Sequence, residues 1–359
     1  MRHREAHASW SFAIVVPLAT GKGVHNNTGT GKTSRYDRRR RVVDHVGSVV
    51  ISLDAELGWG FHDFEVPPTD RVESGRRGWQ QMLALLEEFD VRATWAVVGH
   101  LMLETCDGEH ADHPAPPGWF ERERTAWRDR EDLRFGPDLV RAILDAEVDH
   151  ELGSHSFSHV LFGHPDTTTE LARAELRRCH DLAAEWGLTL ESFVYPRNYV
   201  GHRAVLAEEG ISAYRGTTPT PDGFRGVLET MVRDGSLLVS PRIDEHGLVN
   251  VPSSMFLFGF EGPVRTITES VWEDPMVVLA RRGIDQAAEN EGVFHIWLHP
   301  NNLVDERDDE RMRAILEYVA RRRCESDLTV ETMGDVARRV RTGSRTDPNI
   351  PAARRPVSR

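Results

Sequence analysis

Residues 49–60, Val-Val-Ile-Ser-Leu-Asp-Ala-Glu-Leu-Gly-Trp-Gly, carry the decision about fold. The β-branched and aliphatic run over 49–53 reads as a strand buried on both faces, as strands of parallel α/β sheets are. It ends in an acidic mouth. Asp54 and Glu56 stand two apart, so a persisting strand points both carboxylates to one side of the sheet at its C-terminal end. Parallel α/β folds hold their ligands at that end.

Outward from this strand, the chain alternates. Met82, Leu83, Leu85, Leu86 and Phe89 predict a helix over 75–89, and Ala93 to Gly99 a second strand. Helical patterning over 136–148 leads to a strand that ends in His150-Glu-Leu-Gly-Ser-His155-Ser-Phe-Ser-His159. Thr167 to Glu170 has N-cap and early acidic character and opens a long amphipathic helix to about Trp186. A short strand over 192–195 breaks at Pro196 and delivers Arg197 and Asn198; a helix over 203–209 and a strand over 211–215 follow. A strand is expected within 248–258, a helix across much of 266–291, and then the strand Val293 to His299. Alternation places His295, Trp297 and His299 on one face of that strand. A helix over 306–323, a strand over 328–330 and a helix over 331–340 close the pattern. Repeated β-then-α units with functional side chains at strand ends near 54, 155, 195 and 299 argue for a parallel barrel rather than a bundle or sandwich.

The residue types at that mouth suggest a chemistry. His155 and His159 stand at i and i+4 and converge on one ion if the residues between them make a single helical turn; neutral imidazole is a common zinc ligand. The same spacing also occurs on solvated helices. A carboxylate and two histidines hold an ion with positions left for water and a carbonyl oxygen, which suits metal-assisted hydrolysis. A second carboxylate takes a proton from the water, and a histidine elsewhere protonates the departing amine. The chain shows no Gly-x-Ser-x-Gly elbow and no credible Cys–His pair, which weakens a covalent nucleophile mechanism.

Composition adds constraints. Asp and Glu number 57 against 44 Lys and Arg, for a net charge of −13, and only Lys22 and Lys32 are lysines. An acidic, Arg-for-Lys, halophile-like surface stays soluble by self-repulsion and disfavours nucleic-acid partners. Residues 1–45 are the exception, with a net charge of +6, and are read as a disordered basic head; 343–359 are read as a disordered tail. Gly29-Thr-Gly-Lys-Thr33 imitates a phosphate-binding loop, but Asn26 stands where the pattern needs glycine and no strand precedes it. Cys106, Cys179 and Cys324 show no metal or redox spacing and are read as idle. Residues 104–135 contain Cys106, His110, Asp112 and His113, the residue types of a second metal site, but with nothing regular to hold them they are expected to be a solvated loop walling the cleft. No run of 18 apolar residues predicts a transmembrane helix. The signal-like apolar stretch at 10–18 is interrupted by Pro17, so a cytoplasmic location is expected.

In order, Ser-Leu-Asp54-Ala-Glu56, Ala93-Thr-Trp-Ala-Val-Val-Gly99, His155-Ser-Phe-Ser-His159, Phe193-Val-Tyr-Pro-Arg-Asn198 and Trp297-Leu-His299 resemble the polysaccharide deacetylase family over about 46–342. These are metal-dependent carbohydrate esterases that include chitin-oligosaccharide and peptidoglycan deacetylases. The resemblance implies an α/β fold, a distorted (β/α) barrel of about seven parallel strands, and hydrolysis of an N-acetyl or O-acetyl group on a sugar or polysaccharide. It assigns His155 and His159 to a divalent metal, zinc first with cobalt, manganese or nickel as alternatives. Asp54 becomes the general base and His299 the general acid. Most members have adjacent aspartates; here Ala55 holds the second place, so Glu56 supplies the carboxylate ligand, as in divergent branches. The usual base-orienting arginine is absent from its place, and Arg197, three residues later, is the candidate substitute. Trp59, Tyr195, Asn198, Trp297 and Asn302 are candidate substrate contacts. A related hydrolase of cyclic or linear amides would use the same machinery. A catalytically inactive carbohydrate-binding barrel, with Trp59, Trp95 and Trp297 stacking on sugars, is the third alternative.

Overall fold

The computed structural model describes residues 47–62, 69–120, 130–217, 235–259 and 273–346. The stretches read as a basic head and a signal-like segment lie outside them, as do 347–359. Among the described residues ten strands are present in chain order: β1 (Ser48–Ala55), β2 (Thr94–Val97), β3 (Glu151–Ser154), β4 (Ser192–Val194), β5 (Ala213–Arg215), β6 (Arg242–Ile243), β7 (Val249–Asn250), β8 (Met255–Phe256), β9 (Val293–Leu298) and β10 (Thr329–Glu331). The helices are α1 (Thr69–Glu88), α2 (Glu131–Arg134), α3 (Pro137–Leu144), α4 (Thr169–Glu185), α5 (Arg203–Glu208), α6 (Pro275–Glu289), α7 (Glu306–Glu325) and α8 (Met333–Thr346).

All strands join one sheet in the order β6-β7-β5-β4-β3-β2-β1-β9-β8, with β10 beside the first half of β1. Every pairing is parallel except β6 with β7. β7 and β8 lie on one stretch of chain, and that stretch joins the two ends of the sheet. Val251 and Ser253 donate backbone hydrogen bonds to Tyr214 and Gly216, whereas Ser254 and Leu257 donate to His295 and Trp297. Counting this stretch once, the barrel has the expected seven parallel staves.

The pleat of β1 explains how the barrel is filled. Val49, Ile51 and Leu53 point outward into a core with Trp79, Met82 and Leu86 of α1 and with Ile284 and Ile315 of α6 and α7. Burying each such side chain contributes about 1.5–3 kcal/mol. Val50 points the other way, to Ala96, Val194, Ala213 and Val249, under Met333 and Val336 of α8. Climbing that inner face by twos from Val50 leads to Ser52 and then Asp54, so the barrel is apolar at the floor and polar at the mouth.

Local signals set the helix ends. Thr168 caps α4 by accepting from Leu171 N, and Asp305 caps α7 by accepting from Arg307 N and Asp308 N. Several boundaries differ from expectation, among them the end of α3 at Leu144 instead of 148. α1 begins six residues earlier than position 75. α8 runs to Thr346, so the tail expected from 343 begins with helix.

Candidate metal centre and catalytic site

β1 delivers two carboxylates to the mouth. After Ala55 the chain turns sharply, with Leu57 at φ +43°, and Glu56 folds back over Gly60. A Cβ at position 60 would meet Glu56 Oε1 at 2.0 Å, so only glycine leaves room for this carboxylate. From β3, His155 and His159 reach the same carboxylate: Glu56 Oε2 lies 3.4 Å from His155 Nε2 and 3.0 Å from His159 Nε2. The residues between them do not make the expected helical turn. Ser156 and His159 sit at φ +62° and +60°, in the left-handed region, and this looped path aims the two imidazoles at one point. Such backbone costs about 1–3 kcal/mol per residue and tends to mark functional sites.

The donor set fits a divalent cation. His155 Nδ1 donates to Val194 O at 2.9 Å, which leaves Nε2 as a bare lone pair. Nε2 of both His155 and His159 is buried without a hydrogen-bond partner, and both face Glu56. Burial lowers the pKa of His159, with Glu56 opposing, so its imidazole stays neutral as a ligand must. Burial would raise the Glu56 carboxyl, but His299, His155 and His159 hold it well below the usual range. One carboxylate and two imidazoles on a buried face leave open coordination positions.

Asp54 is arranged differently. Arg215, at the end of β5 and fully buried, grips it with both terminal nitrogens and also donates to Ser52 Oγ at 3.1 Å and Asn198 Oδ1 at 3.1 Å. The guanidinium lies over the Trp297 ring, 4.4 Å from its centre. Behind it, His295 Nδ1 donates to Pro252 O at 3.1 Å, so Nε2 accepts from Ser52 Oγ at 2.9 Å. Burial and the nearby Arg215 push His295 down to about 3, which keeps it neutral in this chain of bonds. Burial would raise the Asp54 carboxyl; Arg215 and His155 outweigh it and leave it below its ordinary value. His299 follows β9, half-buried, with Nε2 3.9 Å from Asp54 and 3.7 Å from Glu56.

Asp54, Glu56, His155, His159 and His299 therefore converge, and other expectations are corrected. Arg197 does not hold the base: it donates to Gly60 O at 3.3 Å, and Arg215 occupies the orienting position. Trp59 is 2% exposed, donates to Arg134 O and is covered by His62 and His100, leaving no face for a ligand. Tyr195 is wholly buried against Phe193 and Tyr214. Asn198 and Asn302 act on neighbours, the first accepting from Arg215 and the second accepting from His299 N at 2.9 Å. Trp297 remains half-buried beside His299, with ring centres 5.5 Å apart. The described part of the 104–135 stretch is a loop largely exposed over 104–118, as expected, but one side of it turns inward: His110 packs on His100, His113 on Phe157 and Phe120 on His110. Phe120 of that insertion joins the main core, with Trp119 packed against it. Cys106 is not idle, because its Sγ lies 3.1 Å from His110 Nε2.

Arg215 and Ser52 have no role in the sequence pattern, and His295 is placed there only on the face it shares with His299. An arginine ending an apolar strand is a signal, because a buried guanidinium demands a carboxylate partner.

Comparison with known proteins bears on the fold. No curated protein matches the chain. Among solved structures, a polysaccharide deacetylase-type protein of Mycobacterium smegmatis aligns with TM-score 0.57 and 18% identity over 87% of this chain and 96% of its own. The PuuE allantoinase aligns with TM-score 0.53 and 15% identity over 84% and 92%. A polysaccharide deacetylase-type protein of Pseudomonas aeruginosa PAO1 gives 0.52 and 14% over 81% and 89%. At these identities the likeness is one of fold. The polysaccharide deacetylase family model matches residues 66–209, which include His155, His159 and Arg197 but not Asp54, Glu56, Arg215 or His299. Over that stretch, less than half of the chain, the sequence matches the polysaccharide deacetylase family.

Proposed function

We propose that the chain is a metal-dependent hydrolase that removes N-acetyl or O-acetyl groups from a sugar or polysaccharide. The observation that carries this reading is the meeting of Glu56, His155 and His159 on one point, flanked by an Arg-held Asp54 and by His299.

Glu56, His155 and His159 would hold the cation, zinc or one of cobalt, manganese and nickel. It supplies Lewis-acid polarisation of an acyl oxygen and acidifies water. Asp54, ionised at neutral pH, accepts the proton of the attacking water. Its depressed pKa, set mainly by Arg215 against burial, keeps it ionised and makes it a weak base. Arg215 fixes the orientation of the carboxylate and keeps it from swinging toward the ligand set. His299, held from behind by Asn302, gives a proton to the departing nitrogen or oxygen. Trp297, under the Arg215 guanidinium, offers one apolar edge for the substrate.

A second reading, hydrolysis of a non-peptide carbon–nitrogen bond in a cyclic or linear amide, is favoured by the burial of Trp59 and Tyr195. Among the described residues that leaves few aromatic platforms for a long glycan. The same burial, with Trp95 also fully enclosed, weighs against a non-catalytic sugar-binding barrel.

The deciding experiment screens the purified protein for acetate release from N- and O-acetylated sugar oligomers, alongside ring-opening of cyclic amides. Each assay is run with and without chelator and with Asp54→Asn. Chelator-sensitive acetate release, reduced on the order of 100-fold or more by Asp54→Asn while metal is kept, supports the deacetylase. Turnover of cyclic amides alone would transfer the machinery to the second reading.

A further inference from the structure

We propose that His100, Cys106 and His110 form a second metal site, for a thiophilic divalent cation of the zinc class, distinct from the Glu56, His155 and His159 set. The proposal goes beyond the activity above and does not depend on it.

The three side chains come from two places. His100 follows β2 on the short helical turn Gly99–Met102, and Cys106 and His110 follow in the insertion. Their donor atoms all lie within 4.8 Å of one another. His100 Nε2 and His110 Nε2 are 3.3 Å apart, and Cys106 Sγ is 3.1 Å from His110 Nε2. Tetrahedral zinc with bonds of about 2.05 Å to nitrogen and 2.3 Å to sulfur sets edges of about 3.3 and 3.6 Å. The nitrogen pair already has that spacing, and the sulfur is about half an ångström short of its edge to His110 Nε2.

Orientation supports the same occupant. His100 Nδ1 donates to Phe157 O at 2.9 Å, so its Nε2 presents a lone pair toward His110. This is the arrangement His155 has with Val194 O, and an Nδ1–H to carbonyl bond is how ligating histidines are usually oriented. Gly108 N donates to Cys106 Sγ at 3.4 Å, a contact that favours thiolate. His100 is wedged between Trp59 and Phe157, with ring centres 4.1 and 3.9 Å away, so its direction is fixed before any ion arrives. The sulfur ligand separates the two sites chemically. Two imidazoles and a thiolate select zinc, cobalt or cadmium over magnesium, calcium or manganese, whereas the Glu56 set has no such bias.

The site would also have a mechanical effect. His100 lies behind the loop that carries His155 and His159, since both its backbone N and its Nδ1 bond Phe157 O. The insertion holding Cys106 and His110 continues to Trp119, whose Nε1 donates to Ser158 Oγ at 2.9 Å. A cation joining His100 to Cys106 and His110 pins the insertion against that loop from both ends.

Elemental analysis and cobalt substitution on the full chain test this. After zinc loading and dialysis the parent should hold about two equivalents, and His155→Ala/His159→Ala about one. The cobalt form of that double variant should keep a sulfur-to-cobalt charge-transfer band in the near ultraviolet. Cys106→Ser and Cys106→Ser/His110→Ala should lose the band and one equivalent of metal. A double variant that loses no metal speaks against the catalytic-site assignment alone, because the band reports only the sulfur site. The proposal is overturned if the cobalt-loaded parent and double variant show no thiolate band, or if Cys106→Ser keeps both band and zinc content. Should the Cys106 variants misfold, the band in the double variant still decides.

Discussion

Arg215 grips Asp54 with both ends of its guanidinium, Nη1 to Oδ1 at 2.5 Å and Nη2 to Oδ2 at 2.7 Å, with both side chains buried. A lysine has one nitrogen to offer and cannot fix the plane of a carboxylate. Arg215→Lys should therefore lower kcat by about 10- to 100-fold with metal content unchanged. Arg215→Ala leaves Asp54 buried without its partner and should also cost about 3–5 kcal/mol of stability. Kinetics, elemental analysis and a denaturation curve on both variants check this; an undiminished kcat in Arg215→Lys would remove the orienting role.

For the ligand set, His155→Ala and His159→Ala should each strip most of the metal from the catalytic centre. Glu56→Gln keeps the shape but loses the charge and should weaken binding about 10- to 100-fold. Competition with a chromophoric chelator measures this, and unchanged affinity in all three variants would place the ion elsewhere.

His299→Ala bears on the leaving group. An amide departs poorly without a proton, whereas an activated aryl ester needs little help. The variant should lose on the order of 100-fold or more on amides and about 10-fold or less on an activated ester. Equal losses on both substrates would mean that His299 positions the substrate instead of protonating it.

Glu175 gives a pH signature in stability. It is wholly buried, and Ser158 donates to it from backbone N at 2.7 Å and from Oγ at 2.5 Å. Burial pushes its carboxyl up to about 7, against the Ser158 bonds, from an ordinary value of 4.5. The folded state thus holds a proton that the unfolded chain has released, and stability falls as pH rises from about 4.5 through about 7. Glu175→Gln should abolish that loss, a gain on the order of 3 kcal/mol at pH 8. His113, 3.3 Å away and pushed down to about 4 by burial, has the opposite slope, adding stability as pH rises from about 4 to 6.5. The parent's two slopes oppose each other, and the variant's stability should climb with pH. Urea denaturation across pH 4.5–8 checks the sign.

Much of the fold is legible in Val49 to Leu53, because a doubly buried strand followed by acids suits a parallel sheet and little else. His155, His159 and His299 are legible for a related reason: polar residues at the ends of apolar strands stand out. The network holding Asp54 is not. Its arginine lies 161 residues away in sequence and meets the carboxylate only through barrel closure. Trp59 and Tyr195 read as exposed platforms because aromatic residues near a mouth usually are, whereas their burial depends on Arg134, His100 and Tyr214, which arrive from other elements. The contact of Cys106 and His110 with His100 is invisible for the same reason, since a turn rather than a helical or strand period brings them together.

The stretch 249–257, which bonds to β5 with its first half and to β9 with its second, acts as a ruler. Arg215 ends the one strand and His299 follows the other. The gap between the residue that steadies the base and the residue placed to supply the acid is therefore set by contour length, at about 3.3 Å per residue, more than by any side chain. Inserting or deleting a single residue between Val251 and Ser254 would slide one stave past the other and pull the two groups out of step. Every polar residue at the mouth could stay intact while the distance between two of them became wrong.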